Sequence, residues 1–263
     1  MSRNATLERS QKKKSRLDRL LVKKGLAGSG EKAKAVIMAG LVEVDGVRVD
    51  KPGHLFEESA SISLKESCPP YVSRGGLKLE AALKHFSVDV NSLTLLDVGA
   101  STGGFTDCLL KHGARKVIAI DVGYGQLDWT LRQDPRVEVL EKTNIRNLKP
   151  ESLKKPLHGA VIDVSFISLR LVVPPVSDLL SDDAFIIALI KPQFEVGKGQ
   201  VGKGGVVRDP LLHREVIENL TGFFEALNWR VEGHIPSPLL GPKGNREFLV
   251  YLTRKSGRSH GGH

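Results

Sequence analysis

The sequence predicts an α/β protein: a doubly wound, Rossmann-like sheet preceded by a small α+β domain. Three observations carry this prediction. From about residue 75 to residue 227, short apolar runs alternate with amphipathic helical stretches, the pattern of a parallel sheet with crossover helices. One run, Leu93, Leu95, Leu96 and Val98, ends in the glycine-bearing turn Gly99-Ala100-Ser101-Thr102-Gly103-Gly104. It leads into a helix from Phe105 to His112 that Gly113 stops. The first 66 residues have a different texture, with two short helical stretches and a tight hairpin signal at Asp45-Gly46.

Residues 1–14 are charged, contain Lys12-Lys13-Lys14 and lack hydrophobic periodicity, so a mobile basic arm is expected there. From Ser15, Leu17, Leu20 and Leu21 fall on one face of a short helix that Gly25 ends. A second helix has Ser29 as its N-cap, Ala33, Val36 and Ile37 inward, and Gly40 after it. Strands at 41–44 and 47–49 flank Asp45-Gly46, and 60–64 alternates like a closing strand. Pro69-Pro70 marks 67–73 as a linker.

The larger domain, 74–253, opens with a helix from Gly75 to Phe86 that turns Leu79, Ala82, Leu83 and Phe86 inward. Further strands are expected at 116–121, 136–140, 160–164 and 184–190. Asp209-Pro210 caps a helix at 211–227, and 229–232 with 248–252 form an antiparallel hairpin at the sheet edge. A disordered Gly/His-rich tail is expected over 254–263.

Composition narrows the function. A net charge of +9 suits a polyanionic partner, although basicity alone is unspecific. The two cysteines, Cys68 and Cys108, form neither a metal-ligand spacing nor a disulfide framework, so no metal is expected. No apolar run approaches membrane-spanning length and the first residues lack a secretory core, which predicts a cytoplasmic protein without a membrane partner.

The turn after the first strand lets backbone N–H groups approach a nucleotide-like ligand, yet by itself it reads equally as a plain βα corner. Its spacing, G-x-x-x-G-G, is not that of a pyrophosphate grip. Asp121 ends the second strand 24 positions after Asp97, where an acid can hold ribose hydroxyls. Asp163 ends the fourth strand and Lys191 directly follows the fifth, and these strand ends adjoin the ligand crevice of a doubly wound sheet. Lys78 and Glu247 read on their own as a solvated helix residue and an edge-strand gatekeeper. Residues 197–204, GKGQVGKG, approach a phosphate loop but put Gly204 where Ser or Thr would bind Mg²⁺. A mobile basic loop closing over RNA, continued by Arg208, is the better reading beside a merely solvated loop.

Two resemblances sharpen this. Ser15-Arg16-Leu17-Asp18, Lys32-Ala33 with Ile37, Gly40-Leu41-Val42 and Val44-Asp45-Gly46 resemble the small RNA-binding domain named after ribosomal small-subunit protein four. This implies RNA contacts from Arg16, Lys32, Lys34, Arg48 and Lys51, although the same residues could merely keep a small surface soluble. With little aromatic material, shape and phosphate reading of folded RNA is expected over base stacking. The remaining motifs are Tyr71 to Leu79, Asp97-Val98-Gly99-Ala100-Ser101-Thr102-Gly103-Gly104-Phe105, Asp121 to Leu127, Asn144-Ile145-Arg146, Asp163 to Ser168, Lys191 to Glu195 and Gly244 to Phe248. In this order they resemble the haemolysin-A/TlyA type of ribosomal RNA 2′-O-methyltransferase with an FtsJ-like fold.

That resemblance implies S-adenosylmethionine as cofactor, cytidine ribose in 16S and/or 23S ribosomal RNA as substrate, and ribosomal subunits as partners. It implies a catalytic tetrad of Lys78, Asp163, Lys191 and Glu247. Cofactor contacts are expected from Asp97, Gly99, Ser101, Gly103, Phe105, Asp121, Asn144 and Asp163, with Asn144 an adenine reader or simply a turn residue. A 2′-hydroxyl is a poor nucleophile and needs in-line placement and a route for its proton. Lys191 is the candidate base, which a neighbouring cation such as Lys78 would promote, or else a group that orients the hydroxyl. The rival readings are a non-catalytic ribosome assembly factor and a membrane-lytic haemolysin, the latter requiring an apolar spanning segment. Oligomeric state is not legible.

Overall fold

The structure is a computed structural model that describes residues 14–38, 40–64, 70–153, 156–197, 199–202 and 204–255. It divides into two compact units, Met1–Pro70 and Tyr71–His263. Most of the expected arm and tail, and the part of the expected linker that holds Cys68, lie outside the described residues.

The first unit runs β1 (Lys14–Arg16), α1 (Leu17–Lys23), α2 (Gly30–Met38), β2 (Val42–Val44), β3 (Val47–Val49), β4 (Leu55–Glu57) and β5 (Ile62–Leu64). β2 is the central strand of an antiparallel sheet ordered β3-β2-β5. Asp45 and Gly46 both take positive φ, 53° and 79°, as a two-residue hairpin turn of this hand requires. Leu17 and Leu21 of α1, Ala33 and Ile37 of α2, and Val42 and Val44 of β2 close one apolar core. The ladder between β1 and β4 was not expected: Lys14 and Arg16 pair with Glu57 and Leu55. Three residues without apolar alternation give the sequence no strand signal.

The second unit runs α3 (Gly75–His85), β6 (Thr94–Val98), α4 (Gly104–Lys111), β7 (Lys116–Ile120), α5 (Trp129–Arg132), β8 (Val137–Leu140), β9 (Gly159–Ile162), α6 (Leu169–Leu179), β10 (Phe185–Ile190), α7 (Pro210–Ala226), β11 (Trp229–Pro236) and β12 (Phe248–Arg254). Its seven-stranded sheet has the order β8-β7-β6-β9-β10-β12-β11. The strands from β8 to β10 are parallel, whereas β12 and β11 add an antiparallel edge. The doubly wound, Rossmann-like prediction therefore holds. Alternate strand residues feed two cores: Leu96, Ile118, Ile162 and Ile186 pack beneath α6 and α7. Leu95, Val117, Val161 and Ile187 pack beneath α3 and α4.

Helix α6 is a correction, because no helix is expected from the sequence between the strands at 160–164 and 184–190. Pro174 and Pro175 sit inside it and each removes a helical donor. The site tolerates them because burial outweighs propensity: Val172, Val173, Val176 and Leu179 are all buried. Ser177 is tied in as well, donating to the Val173 carbonyl at 2.8 Å and accepting from Trp229 Nε1 at 2.9 Å.

Candidate active site

The strand order reverses between β6 and β9, and ligand crevices of open α/β sheets form at such points. Gly99 leaves β6 with φ 86°, and a Cβ there would lie 2.5 Å from the Asp163 carbonyl oxygen. Only glycine allows the two strand ends to approach this closely. Ser101 donates its N–H to Asp121 Oδ2 at 2.8 Å, and Gly123 donates to Oδ1 at 2.7 Å. The carboxylate at the end of β7 is thus fixed against the glycine turn, and each oxygen keeps a lone pair for a further donor.

Two cavities open from this turn. The smaller, about 320 Å³, is lined by Lys78, Asp163, Lys191 and Glu247 together with Ser101 and Phe105. The larger, about 480 Å³, has Asp121, Gln126, Asn144, Arg146 and Phe166 on its walls. Gly99, Ser101, Asp163 and Ser165 line both.

The four tetrad residues come together as two ion pairs. Lys78 Nζ, on the first turn of α3, donates to Glu247 Oε2 at 2.6 Å. The Glu247 side chain is 0% exposed and its Oε1 has no partner. Lys191 Nζ lies 2.6 Å from Asp163 Oδ1 and donates to Ser165 Oγ at 2.8 Å. Each cation thus faces one carboxylate. Gly241 closes the wall over Glu247, where a Cβ would sit 2.5 Å from Glu247 Cδ.

Other expected residues are placed differently. Asp97 lines neither cavity: it is fully buried, turned toward α4, and its Oδ2 accepts from the Thr106 hydroxyl at 2.6 Å. The alternation of β6 decides this, since Asp97 shares the α4-facing side with Leu95. Burial pushes its carboxyl up to about 7. Gly103, at φ 93°, backs onto Leu127 and Leu131 and does not line the crevice. Asn144 does face the larger cavity, but its Oδ1 accepts from Arg146 N and Nε, so only its amide N–H₂ is left for a ligand.

Three residues went unassigned in the sequence. Ser165 holds Lys191, Gly241 makes room for Glu247, and Phe166 stands 90% exposed with φ 64° at the rim of the larger cavity. Ser165 and Phe166 sit in the Asp163-to-Ser168 motif, and a polar-aromatic pair after a buried strand was the available signal. Glu195, quoted in another motif, caps α6, accepting from the Ser168 hydroxyl at 2.6 Å and the Leu169 N–H at 2.8 Å. In the glycine-rich loop, Lys198 and Lys203 lie outside the described residues. Gly202 bridges to Val206, and Asn245 anchors the loop by accepting from Val207 N–H and donating to the Gly205 carbonyl.

In the first unit, the Arg16 guanidinium is already held by Asp18 at 2.6 and 3.1 Å. Lys34 lies 3.5 Å from Glu31, while Lys32, Arg48 and Lys51 are exposed. A groove of about 550 Å³ between α1 and α2 is lined by Arg16, Arg19, Lys23 and Lys34, of which Arg19 and Lys23 were not expected. Among the described residues there is no group of three or more His, Cys, Asp or Glu able to hold a metal. Nor, among the described residues, is any helix long and apolar enough to cross a membrane.

A seven-stranded sheet of this order, with a glycine turn and an acid at its switch point, is that of a Rossmann-like methyltransferase. The chain belongs to the FtsJ-like methyltransferase family, whose model matches residues 71–254, and carries an S4 domain over residues 15–62. YqxC of Bacillus subtilis is 50% identical over 241 residues, covering 91% of this chain and 86% of that protein. The 16S/23S rRNA (cytidine-2′-O)-methyltransferase TlyA of Mycobacterium tuberculosis is 46% identical over 248 residues, covering 94% and 92% respectively. A hemolysin-type structure from Streptococcus thermophilus is 45% identical with a TM-score of 0.73, covering 93% of this chain and 90% of that one.

Proposed function

We propose that this protein transfers a methyl group from S-adenosylmethionine to the 2′-hydroxyl of a cytidine in 16S and/or 23S ribosomal RNA. The observation that carries this reading is the joining of Lys78–Glu247 and Lys191–Asp163 in one cavity that opens from the glycine turn. Similarity to the Mycobacterium tuberculosis enzyme supplies the substrate class.

The residues present fit the cofactor. Gly99 leaves a cradle that any Cβ would fill, Asp121 offers lone pairs for ribose hydroxyls, and the Asn144 amide can donate to an adenine ring nitrogen. S-adenosylmethionine supplies an electrophilic methyl on a sulfonium. The chain's own residues must then present the ribose oxygen in line and hold its proton. Lys191, fixed by Asp163 and Ser165, directs its remaining N–H or lone pair at that oxygen. Lys78 and Glu247 line the same cavity as a second ion pair. Phe166, at the rim, offers a face on which an extruded base can stack. The S4 domain contributes phosphate contacts from Lys32, Arg48 and Lys51, and the groove between α1 and α2 adds Arg19.

Single-turnover methylation by Lys191 variants tests this. Lys191→Ala should lose about 10²–10⁴-fold in rate, with cofactor and RNA affinities moving less than about threefold. Lys191→Arg separates base from orienting cation: poor rescue marks a base, substantial rescue an orienting charge. A Lys191→Ala enzyme with the wild-type rate, chemistry being limiting, would remove this residue from the mechanism.

A further inference from the structure

One buried amide joins the glycine-rich loop to the turn that precedes β12. Asn245 is 3% exposed. Its Oδ1 accepts the Val207 N–H at 3.1 Å, and its Nδ2 donates to the carbonyls of Gly205 and Pro242 at 3.0 and 3.1 Å. Its own carbonyl accepts from the Gly241 N–H at 2.8 Å. Gly241 and Pro242 line the tetrad cavity, and Gly241 confines Glu247. On the loop side Val206 and Val207 are buried, and His213 Nε2 donates to the Val207 carbonyl at 2.9 Å. The root of the loop and the wall of the cavity therefore share one satisfied polar joint.

Three cations stand around this joint. Arg208 directly follows Val207, Arg246 directly follows Asn245, and Lys243 Nζ lies 3.9 Å from where a Gly205 Cβ would be. All three are exposed, and none forms an ion pair among the described residues. The carboxylates next to them in the chain are engaged: Glu247 holds Lys78, and Asp209 caps α7 by accepting the Leu211 N–H at 2.8 Å. Even with Asp209 counted, the surface keeps a positive excess, and exposed Arg74 on the cavity wall adds to it. Lys243 has φ 59°, a left-handed conformation that costs lysine more than glycine, so turn geometry does not account for a lysine there.

We propose that Arg208, Lys243 and Arg246 form the surface on which the RNA backbone beside the target nucleotide docks. Asn245 is the positioning residue that keeps this surface in register with the Glu247–Lys78 pair. The inference rests on the reading that the acceptor is a ribose in RNA. The carbon next to a ribose 2′-hydroxyl carries a phosphodiester, so a hydroxyl presented to the cavity brings phosphates to its rim. Two guanidinium forks and an ammonium suit those phosphates, and none of the three must first leave an ion pair. Asn245 touches no substrate. It fixes the spacing between the part that meets the ribose and the part that meets its phosphates.

Salt-dependent RNA binding and single-turnover methylation by the full-length protein test the idea, with protein-free ribosomal RNA and ribosomal subunits as probes. Arg208→Ala, Lys243→Ala and Arg246→Ala should each lower the slope of log affinity against log salt by about 0.7–0.9. Each should raise the RNA concentration needed for half-maximal rate and leave the saturating rate and S-adenosylmethionine affinity unchanged. Asn245→Ala should instead lower the saturating rate, by up to about 10²-fold for a displacement near 1 Å. In that background the three cation substitutions should lose most of their effect, whereas a merely destabilising change would leave their effects additive. Asn245→Asp, which keeps the acceptor for Val207 and loses both donors, serves if Asn245→Ala fails to fold. Unchanged slopes in the cation variants, or an equal drop from Lys84→Ala at the far end of α3, would overturn the docking surface. Additive effects would overturn the role of Asn245. Slopes altered with ribosomal subunits but not with protein-free RNA would place a ribosomal protein on this surface and overturn the RNA assignment. A wild-type chain that methylates no RNA would instead overturn the underlying function.

Discussion

Replacing Gly241 by Ala places the sharpest demand on the candidate active site. The backbone does not require glycine there, since φ is −72° and ψ −175°, an extended conformation open to any residue. Space does. The added methyl would lie 2.5 Å from Glu247 Cδ and 3.1 Å from Cγ, where carbon atoms normally keep about 3.5–4.0 Å. The carboxylate must therefore retreat by about 1 Å, and it starts 0% exposed and 2.6 Å from Lys78 Nζ. A displacement of that size at a reacting centre costs about 10²-fold in rate. Loosening a buried ion pair also lowers stability, with about 3–5 kcal/mol as the limit for full loss of one partner. The assay is single-turnover methylation of ribosomal RNA beside thermal unfolding, with Gly222→Ala as control. Gly222 sits exposed within α7 with open space around it, so alanine there should stabilise by up to about 1 kcal/mol and leave the rate alone. A Gly241→Ala enzyme with the wild-type rate and stability would refute the placement of Glu247 as a requirement for transfer.

Other consequences are equally direct. Asp121→Ala should weaken S-adenosylmethionine binding about tenfold or more by calorimetry while RNA affinity holds, since it removes a charge-assisted acceptor fixed by Ser101 and Gly123. Asp97, raised from 3.8 to about 7, contributes stability that is fully present below about pH 4 and is lost as pH rises through 7. Denaturant melts from pH 4 to 8 should show that decline, approaching ~1.4 kcal/mol per pH unit, and Asp97→Asn should lack it. Lys51→Ala should reduce the salt dependence of RNA binding by about one phosphate's worth, measured as the slope of log affinity against log salt.

The fold was legible where local chemistry and tertiary structure agree. Asp45-Gly46 specified a hairpin because both residues accept positive φ, and the parallel strands announced themselves as apolar runs because both faces of the sheet are covered. Helix α6 was hidden by Pro174-Pro175, whose local cost is overcome by packing that no local window contains. The β1–β4 ladder was hidden because Lys14–Arg16 has no periodicity to read.

The site divides in the same way. Asp163 and Lys191 follow from the rule that strand ends at a switch point face the ligand. Lys78 and Glu247 are 169 residues apart and meet only in three dimensions, so resemblance alone suggested them. Asp97 and Asp121 look alike in the sequence, but strand alternation buries the first against α4, whereas the second lies just past the end of β7 and faces the crevice. Gly241 gave no signal, because its requirement comes from a side chain in β12's approach and not from its own dihedrals.

The acceptor atom of the methyl group decides the function. Purified protein, S-adenosylmethionine bearing a deuterated methyl group, and 16S and 23S ribosomal RNA within ribosomal subunits should be incubated and the RNA digested to nucleosides for mass spectrometry. Deuterated 2′-O-methylcytidine is expected with the wild-type chain, and its near absence with Lys191→Ala. Label on a base, or no transfer from a protein that binds both S-adenosylmethionine and RNA, would contradict it.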